Sequence, residues 1–98
     1  MEHRREIRTD VNLAVELTEL EAPEQFPQNG VLKNVSRSGM LVRMAHGIAS
    51  GSLVKVKARG VLTLGEVVRC QPAAEGFDVA LALRNTLEDL VAFIQSSS

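Results

Sequence analysis

Three arginines stand close together near the start of the chain: Arg4, Arg5 and Arg8. A guanidinium group carries a planar fork of N–H donors, which binds phosphate oxygens in pairs and stacks on purine rings. Three such groups within five residues suit a phosphate clamp, and a polyanionic ligand would offset the entropy lost when so polar a segment becomes ordered. The alternative is a solvated segment of mixed charge, because three acids balance the arginines: Glu2, Glu6 and Asp10.

A second polar cluster spans residues 34–39, with the sequence Asn-Val-Ser-Arg-Ser-Gly. Asn34 and Ser36 offer short groups that can hydrogen bond to a base edge or a phosphate. Arg37 adds a cation, and Gly39 permits either a positive φ or the close approach of a ligand to the backbone. The alternative is an ordinary turn, held by hydrogen bonds from the Asn and Ser side chains to nearby backbone.

Residues for catalysis or metal binding are scarce. The chain has two histidines and one cysteine, namely His3, His46 and Cys70, and their spacing matches no zinc pattern. No Gly-rich phosphate loop or nucleophile motif is present. The sequence therefore predicts a protein that is not an enzyme and has no catalytic residues, metal or cofactor.

Six segments alternate in hydrophobicity or are short and apolar, as in strands: 11–17, 31–35, 40–44, 53–58, 61–70 and 77–83. Arg59-Gly60 is typical of a tight turn, and Gly65 indicates a bulge in its strand. Near the end, apolar residues spaced at i, i+3, i+4 and i+7 predict an amphipathic helix: Leu87, Leu90, Val91 and Ile94. The pattern favours a mainly β fold, a small antiparallel barrel with a C-terminal helix packed on it.

Charge and hydropathy limit the setting of the protein. The net charge is −1, so nothing draws the whole chain to nucleic acid or anionic lipid. Seven basic residues and one acid lie between Val31 and Arg69, which predicts either a local positive surface or solvated strand edges. The N-terminus lacks the apolar core of a signal peptide, and no apolar run is long enough for a membrane span. These features predict a cytoplasmic location.

The order of the two clusters resembles the PilZ family. An Arg-x-x-x-Arg motif (Arg4, Arg8) precedes the first strand, and about 25 residues later Asn-x-Ser-x-x-Gly (Asn34, Ser36, Gly39) lies between the second and third strands. The long strand with Gly65-Glu66-Val67-Val68-Arg69, its return strand from Gly76 and the closing helix extend the resemblance to nearly all 98 residues. PilZ domains are bacterial six-stranded barrels that bind the second messenger cyclic di-GMP.

The resemblance implies a role for each residue of the two clusters. Arg4, Arg5 and Arg8 would hold phosphate and guanine, Asn34 and Ser36 would hydrogen bond to base edges, and Arg37 and Gly39 would line the turn. It also implies three parts: a flexible Arg-rich arm at 1–9, a barrel with its helix at 10–95 and a frayed tail at 96–98. The arm is expected to be mobile without ligand and ordered with it.

Two residues depart from the family pattern. Asn34 stands where many members have Asp, and it lacks the charge that strengthens a bond to guanine N–H groups. His3 occupies the first position of the longer form of the arginine motif, so one phosphate contact is in question, and with it the binding of one ligand or an intercalated pair.

The function expected is a bacterial cyclic di-GMP receptor that changes conformation on binding and regulates an unidentified protein partner. Two alternatives remain open at the level of sequence. One is a PilZ-fold interaction module that works without nucleotide. The other is a small nucleic-acid-binding barrel, although such barrels usually stack bases on exposed aromatics and this chain has only three aromatic residues.

Overall fold

Six antiparallel strands close into one barrel in the computed structural model, which describes residues 7–22, 24 and 26–84. The order around the barrel is β1-β2-β3-β6-β5-β4, and β4 pairs back onto β1. The strands are β1 Thr9–Glu19, β2 Gln28–Val35, β3 Gly39–Met44, β4 Leu53–Ala58, β5 Val61–Ala73 and β6 Gly76–Leu83. The predicted six-stranded antiparallel barrel is confirmed. The predicted helix and tail lie outside the described residues, as do His3, Arg4 and Arg5.

The interior is filled by alternate residues of each strand, because successive side chains of a strand point to opposite faces. Its buried members are aliphatic, as the scarcity of aromatics predicts: Val15, Leu17, Leu32, Val42, Met44, Ile48, Val54, Val56, Val67, Val79 and Leu81. Ile48 is the exception to the alternation, since it comes from the loop between β3 and β4 and still packs into the core.

The sequence predicted a tight turn between β4 and β5 and a bulge in β5, and the structure can be compared with both predictions. Arg59 and Gly60 form the two-residue connection between β4 and β5, with φ of 51° and 81°, the backbone of a type I′ hairpin turn. The predicted tight turn is confirmed, whereas the predicted bulge at Gly65 is wrong. The ladder to β6 is irregular between Val67 and Arg69, while Gly65 pairs regularly with Leu83. A β-carbon at Gly65 would lie 3.2 Å from the carbonyl oxygen of Ala82, so the close neighbouring strand explains that glycine.

The described ranges contain no helix with the length and apolarity needed to span a bilayer.

Candidate functional site: the outer face around the Ser36 turn

The turn between β2 and β3 is fixed by its own backbone and by β6. The backbone N–H of Ser36 donates to the carbonyl oxygen of Gly39 at 2.8 Å, and the Ser36 hydroxyl lies 3.4 Å from the same oxygen. On the other side, the N–H of Leu83 donates to the carbonyl oxygen of Ser38 at 2.8 Å. The turn is therefore hydrogen-bonded both within itself and to the end of β6, which positions the groups that project from it.

Gly39 has a structural reason that differs from both predicted ones. Its φ is not positive, since the positive-φ glycines of the described residues are Gly51, Gly60 and Gly76. A β-carbon at Gly39 would stand 2.8 Å from the carbonyl oxygen of Leu81, closer than a real β-carbon approaches an oxygen. Gly39 is needed because β6 passes this close to the turn, and no ligand has to be invoked.

Asn34 projects from the outer face of the barrel. It pairs with Leu41 on β3, and residues directly opposite in an antiparallel ladder share a face. Leu41 lies between Met40 and Val42, which both pack against the core, so Leu41 and Asn34 point outward. Asn34 also pairs with Asp10 on β1, next to bulges in both ladders, and such bulges often re-aim side chains beside functional sites.

Arg8 comes to the same end of the barrel. Thr9 pairs with Val35, Arg8 precedes this pair on one strand, and Ser36 follows it on the other. Arg8 and Ser36 therefore lie side by side where the β1–β2 ladder ends, and both Arg8 and Arg37 are exposed. Of the seven predicted site residues, the structure brings five together around this turn: Arg8, Asn34, Ser36, Arg37 and Gly39. Arg4 and Arg5 stay predictions.

The arginines of the outer face differ in whether a carboxylate neutralises them. Arg43 is paired with Asp78 across β3 and β6, and this hydrogen bond raises the pKa of Arg43. Arg84 is paired with Glu66 at 2.6 Å. Neither ion pair of the described residues uses Arg8 or Arg37. The cations beside the turn thus keep their charge available for an anion.

Two of the seven basic residues in the middle of the chain face an acid. Arg43 is neutralised by Asp78, and Lys57 stands opposite Glu16 in the β1–β4 ladder. The other basic residues are distributed over separate strands and turns. Among the described residues, no three His, Cys, Asp or Glu side chains are grouped so that they could hold a metal ion.

Two residues that sequence reasoning missed share a row with Asn34. Arg69 pairs with Ala80, and Ala80 pairs with Leu41, so one outward-facing row crosses five strands: Asp10, Asn34, Leu41, Ala80 and Arg69. Neighbouring strands lie about 4.8 Å apart, so Arg69 is about 14 Å from Asn34 along the row. No local spacing signals this relation, because it depends on the register of strands that are far apart in the sequence.

An open groove of about 410 Å³ lies elsewhere on the barrel, beyond the middle of the β1–β2 ladder. Its lining residues are Ala14, Val15, Glu16, Asn29, Lys57, Arg59 and Gly60. None of the predicted site residues lines it. The groove is lined by one acid and two cations, Glu16, Lys57 and Arg59.

Comparisons with known proteins agree with this architecture. In the search of solved structures, MotI/DgrA, an inhibitor of motility from Bacillus subtilis, is 23% identical with a TM-score of 0.63. The match covers 98% of this chain and 50% of MotI/DgrA, so the chain spans about half the length of that protein. The PilZ domain of CeSA from a cellulose-synthesizing bacterium is 17% identical with a TM-score of 0.62, over 91% of this chain and 92% of that domain. No curated protein matches the chain.

The family assignment follows from the sequence as a whole. The family model described as PilZ domain matches residues 2–96, which is nearly the entire chain. The structural neighbours share the barrel, and the two motifs expected from the resemblance fall within the matched range. The chain therefore belongs to the PilZ domain family.

Proposed function

We propose that the chain is a receptor for cyclic di-GMP, which binds on the outer face around the Ser36 turn and thereby controls a partner protein. The PilZ family consists of binding and adaptor modules rather than enzymes, which supports this class of function. The observation that carries the proposal is the β1–β2 register. It brings Arg8 beside Ser36 and next to Asn34, so two motifs about 25 residues apart in sequence meet on one surface.

The chemistry of the side chains fits a cyclic dinucleotide. Each phosphate is an anion with oxygens arranged for bidentate contact, which the exposed Arg8 and Arg37 can provide. The guanidinium planes also stack on purines, which matters because the chain is poor in aromatics. Asn34 and Ser36 supply short hydrogen-bonding groups for the base, and the proposal includes Arg4 and Arg5 as further phosphate ligands.

The adaptor role needs a path from the nucleotide to another surface. The Ser38 carbonyl accepts the N–H of Leu83, and the next residue, Arg84, donates its N–H to Leu64 at 2.8 Å. A ligand that shifts the turn would therefore act directly on the end of β6 and on the segment that follows. This path supports a conformational change that a protein partner detects. The name of MotI/DgrA, an inhibitor of motility, suggests the same type of regulation.

Calorimetry with cyclic di-GMP on the full chain tests the proposal. Binding at micromolar affinity or tighter is expected, and Arg8→Ala or Ser36→Ala should abolish it. Lys57→Ala is the matched control, because it removes a charge of the same sign from an exposed site at the groove and should leave the affinity unchanged. The fitted stoichiometry distinguishes one bound ligand from a pair.

Other results would redirect the proposal. Capture of the same cellular protein with and without nucleotide, combined with no heat of binding, would indicate an interaction module that does not need cyclic di-GMP. Oligonucleotide binding that weakens steeply with salt would instead indicate a nucleic-acid-binding barrel.

A further inference from the structure

Asp10 lies directly opposite Asn34 in the β1–β2 ladder, on the outer face. The β-carbons of such a pair are about 5 Å apart, so the carboxylate and the amide can contact one small planar group. Asp10 is exposed. No side-chain hydrogen bond or ion pair among the described residues engages its oxygens.

The Watson–Crick edge of guanine has two adjacent donors, N1–H and the N2 amino group, followed by the acceptor O6. A primary amide has one oxygen to accept and one NH₂ to donate, so Asn34 alone cannot accept from both donors while it donates to O6. An ionised carboxylate has two acceptor oxygens, and its bonds to N–H groups are charge-assisted. Asp10 and Asn34 together complement the whole edge: the carboxylate accepts from N1–H and N2–H, and the amide donates to O6.

The Asp10 carboxylate lies in an unexpected place for a phosphate-binding surface. Asp10 is two residues from Arg8 and beside the turn that carries Arg37, where a negative charge opposes the binding of a phosphate. The carboxylate would instead stabilise a base edge that presents only hydrogen-bond donors to it. Adenine presents an acceptor, N1, at the corresponding place, so the carboxylate would repel it.

We propose that Asp10 is the guanine-recognising residue of the site, and that the Asp10–Asn34 pair selects guanine over adenine. This inference rests on the proposed cyclic di-GMP function and adds to it the residue that determines base specificity. The carboxylate acts on the base and makes no contact with phosphate.

The test measures dissociation constants for cyclic di-GMP, for its inosine analogue, which lacks the N2 amino group, and for cyclic di-AMP. Asp10→Asn should weaken cyclic di-GMP binding about 10- to 100-fold, the range for loss of charge-assisted hydrogen bonds. The swap Asp10→Asn with Asn34→Asp returns one carboxylate to the pair and should recover most of the affinity. Because Asp10 is exposed, Asp10→Asn should not change the melting temperature.

Glu16→Gln is the matched control, since Glu16 is an exposed acid on the same strand that faces Asn29 on β2 just as Asp10 faces Asn34. It should bind cyclic di-GMP like the unmodified chain. The inosine analogue should bind the unmodified chain more weakly than cyclic di-GMP does. In Asp10→Asn the ratio of the two dissociation constants should be smaller.

Two results would count against the inference and differ in meaning. Unchanged or tighter cyclic di-GMP binding by Asp10→Asn would overturn the role of Asp10 and leave the receptor function standing. Absence of cyclic di-GMP binding by the unmodified chain would remove the receptor function itself.

Discussion

The β1–β2 ladder has an acidic residue opposite an asparagine near each of its ends. At one end, which we call the motif end, Asp10 faces Asn34; at the other, the groove end, Glu16 faces Asn29. The neighbours differ. Glu16 is also opposite Lys57, because the β1–β4 ladder covers only the second half of β1, whereas Asp10 lies before the first residue of that ladder. The acid at the groove end therefore has a cation opposite it in the sheet, whereas the β1–β4 ladder supplies no such partner for Asp10 at the motif end.

The open groove and the two motifs lie at different ends of this ladder. The groove end has an open groove, lined by Lys57, Arg59 and Glu16. The motif end has exposed arginines beside a turn whose backbone is fixed by two hydrogen bonds. Arg8 and Arg37 take part in no ion pair among the described residues, which is the reason to propose the motif end for a polyanion.

Reversing a charge at each of the two ends should produce the largest difference in nucleotide affinity. Arg8→Glu should weaken cyclic di-GMP binding by more than about 100-fold, because it removes a phosphate ligand and adds a like charge. Lys57→Glu makes the same change of charge at the groove end and should alter the affinity by less than about 3-fold. Equal losses in calorimetry would mean that the barrel attracts the ligand by overall charge and that the two ends do not differ.

A packing change should produce the next largest effect, on the free energy of unfolding. Gly39→Ala forces a β-carbon against the Leu81 carbonyl at the motif end, and backbone atoms cannot easily yield. A loss of about 1–3 kcal/mol is expected, in the range for overpacking. The matched control is Gly47→Ala, where the nearest atoms would be at 3.5 Å and φ is not positive. Urea denaturation that gives both variants the same stability would show that β6 can move away from the turn.

Features that depend on residues close together in the sequence could be predicted, whereas features that depend on contacts between distant segments could not. The strands followed from period-two alternation, and the β4–β5 turn followed from Arg59-Gly60, because both signals are local. Ile48 was missed because a loop residue packs into the core for reasons of tertiary fit. Gly65 was misread because the contact that it accommodates comes from β6, far along the chain.

The candidate site shows the same division. Arg8, Asn34 and Ser36 were identified by short motifs, which are visible in one dimension. Asp10 and Arg69 were missed, since only the register of five strands shows that they share a row with Asn34. Asp10 was visible only as one acid among several near the arginines, with nothing to distinguish it from a solvated charge.

Arg69 should contribute a smaller part of the affinity than Arg8. It lies at the far end of the row, and no ion pair of the described residues occupies it. Arg69→Ala should weaken cyclic di-GMP binding about 3- to 10-fold and reduce its salt dependence, as expected for a cation at the edge of a site. Lys55→Ala, on a strand away from the row, is the control. If the two variants bind alike at low and high salt, the ligand does not extend across β3 and β6.

The smallest effect is expected where a cation of the outer face is already paired. Arg84 forms an exposed ion pair with Glu66, and such pairs contribute about 0.5 kcal/mol or less to stability because water and salt screen them. Arg84→Gln should therefore barely change the melting temperature, and it should not change nucleotide affinity, since the side chain already has a carboxylate partner. A clear loss of affinity with unchanged stability would contradict this view. It would show that the Arg84 side chain itself takes part in the nucleotide site, and the motif end would then extend to the end of β6.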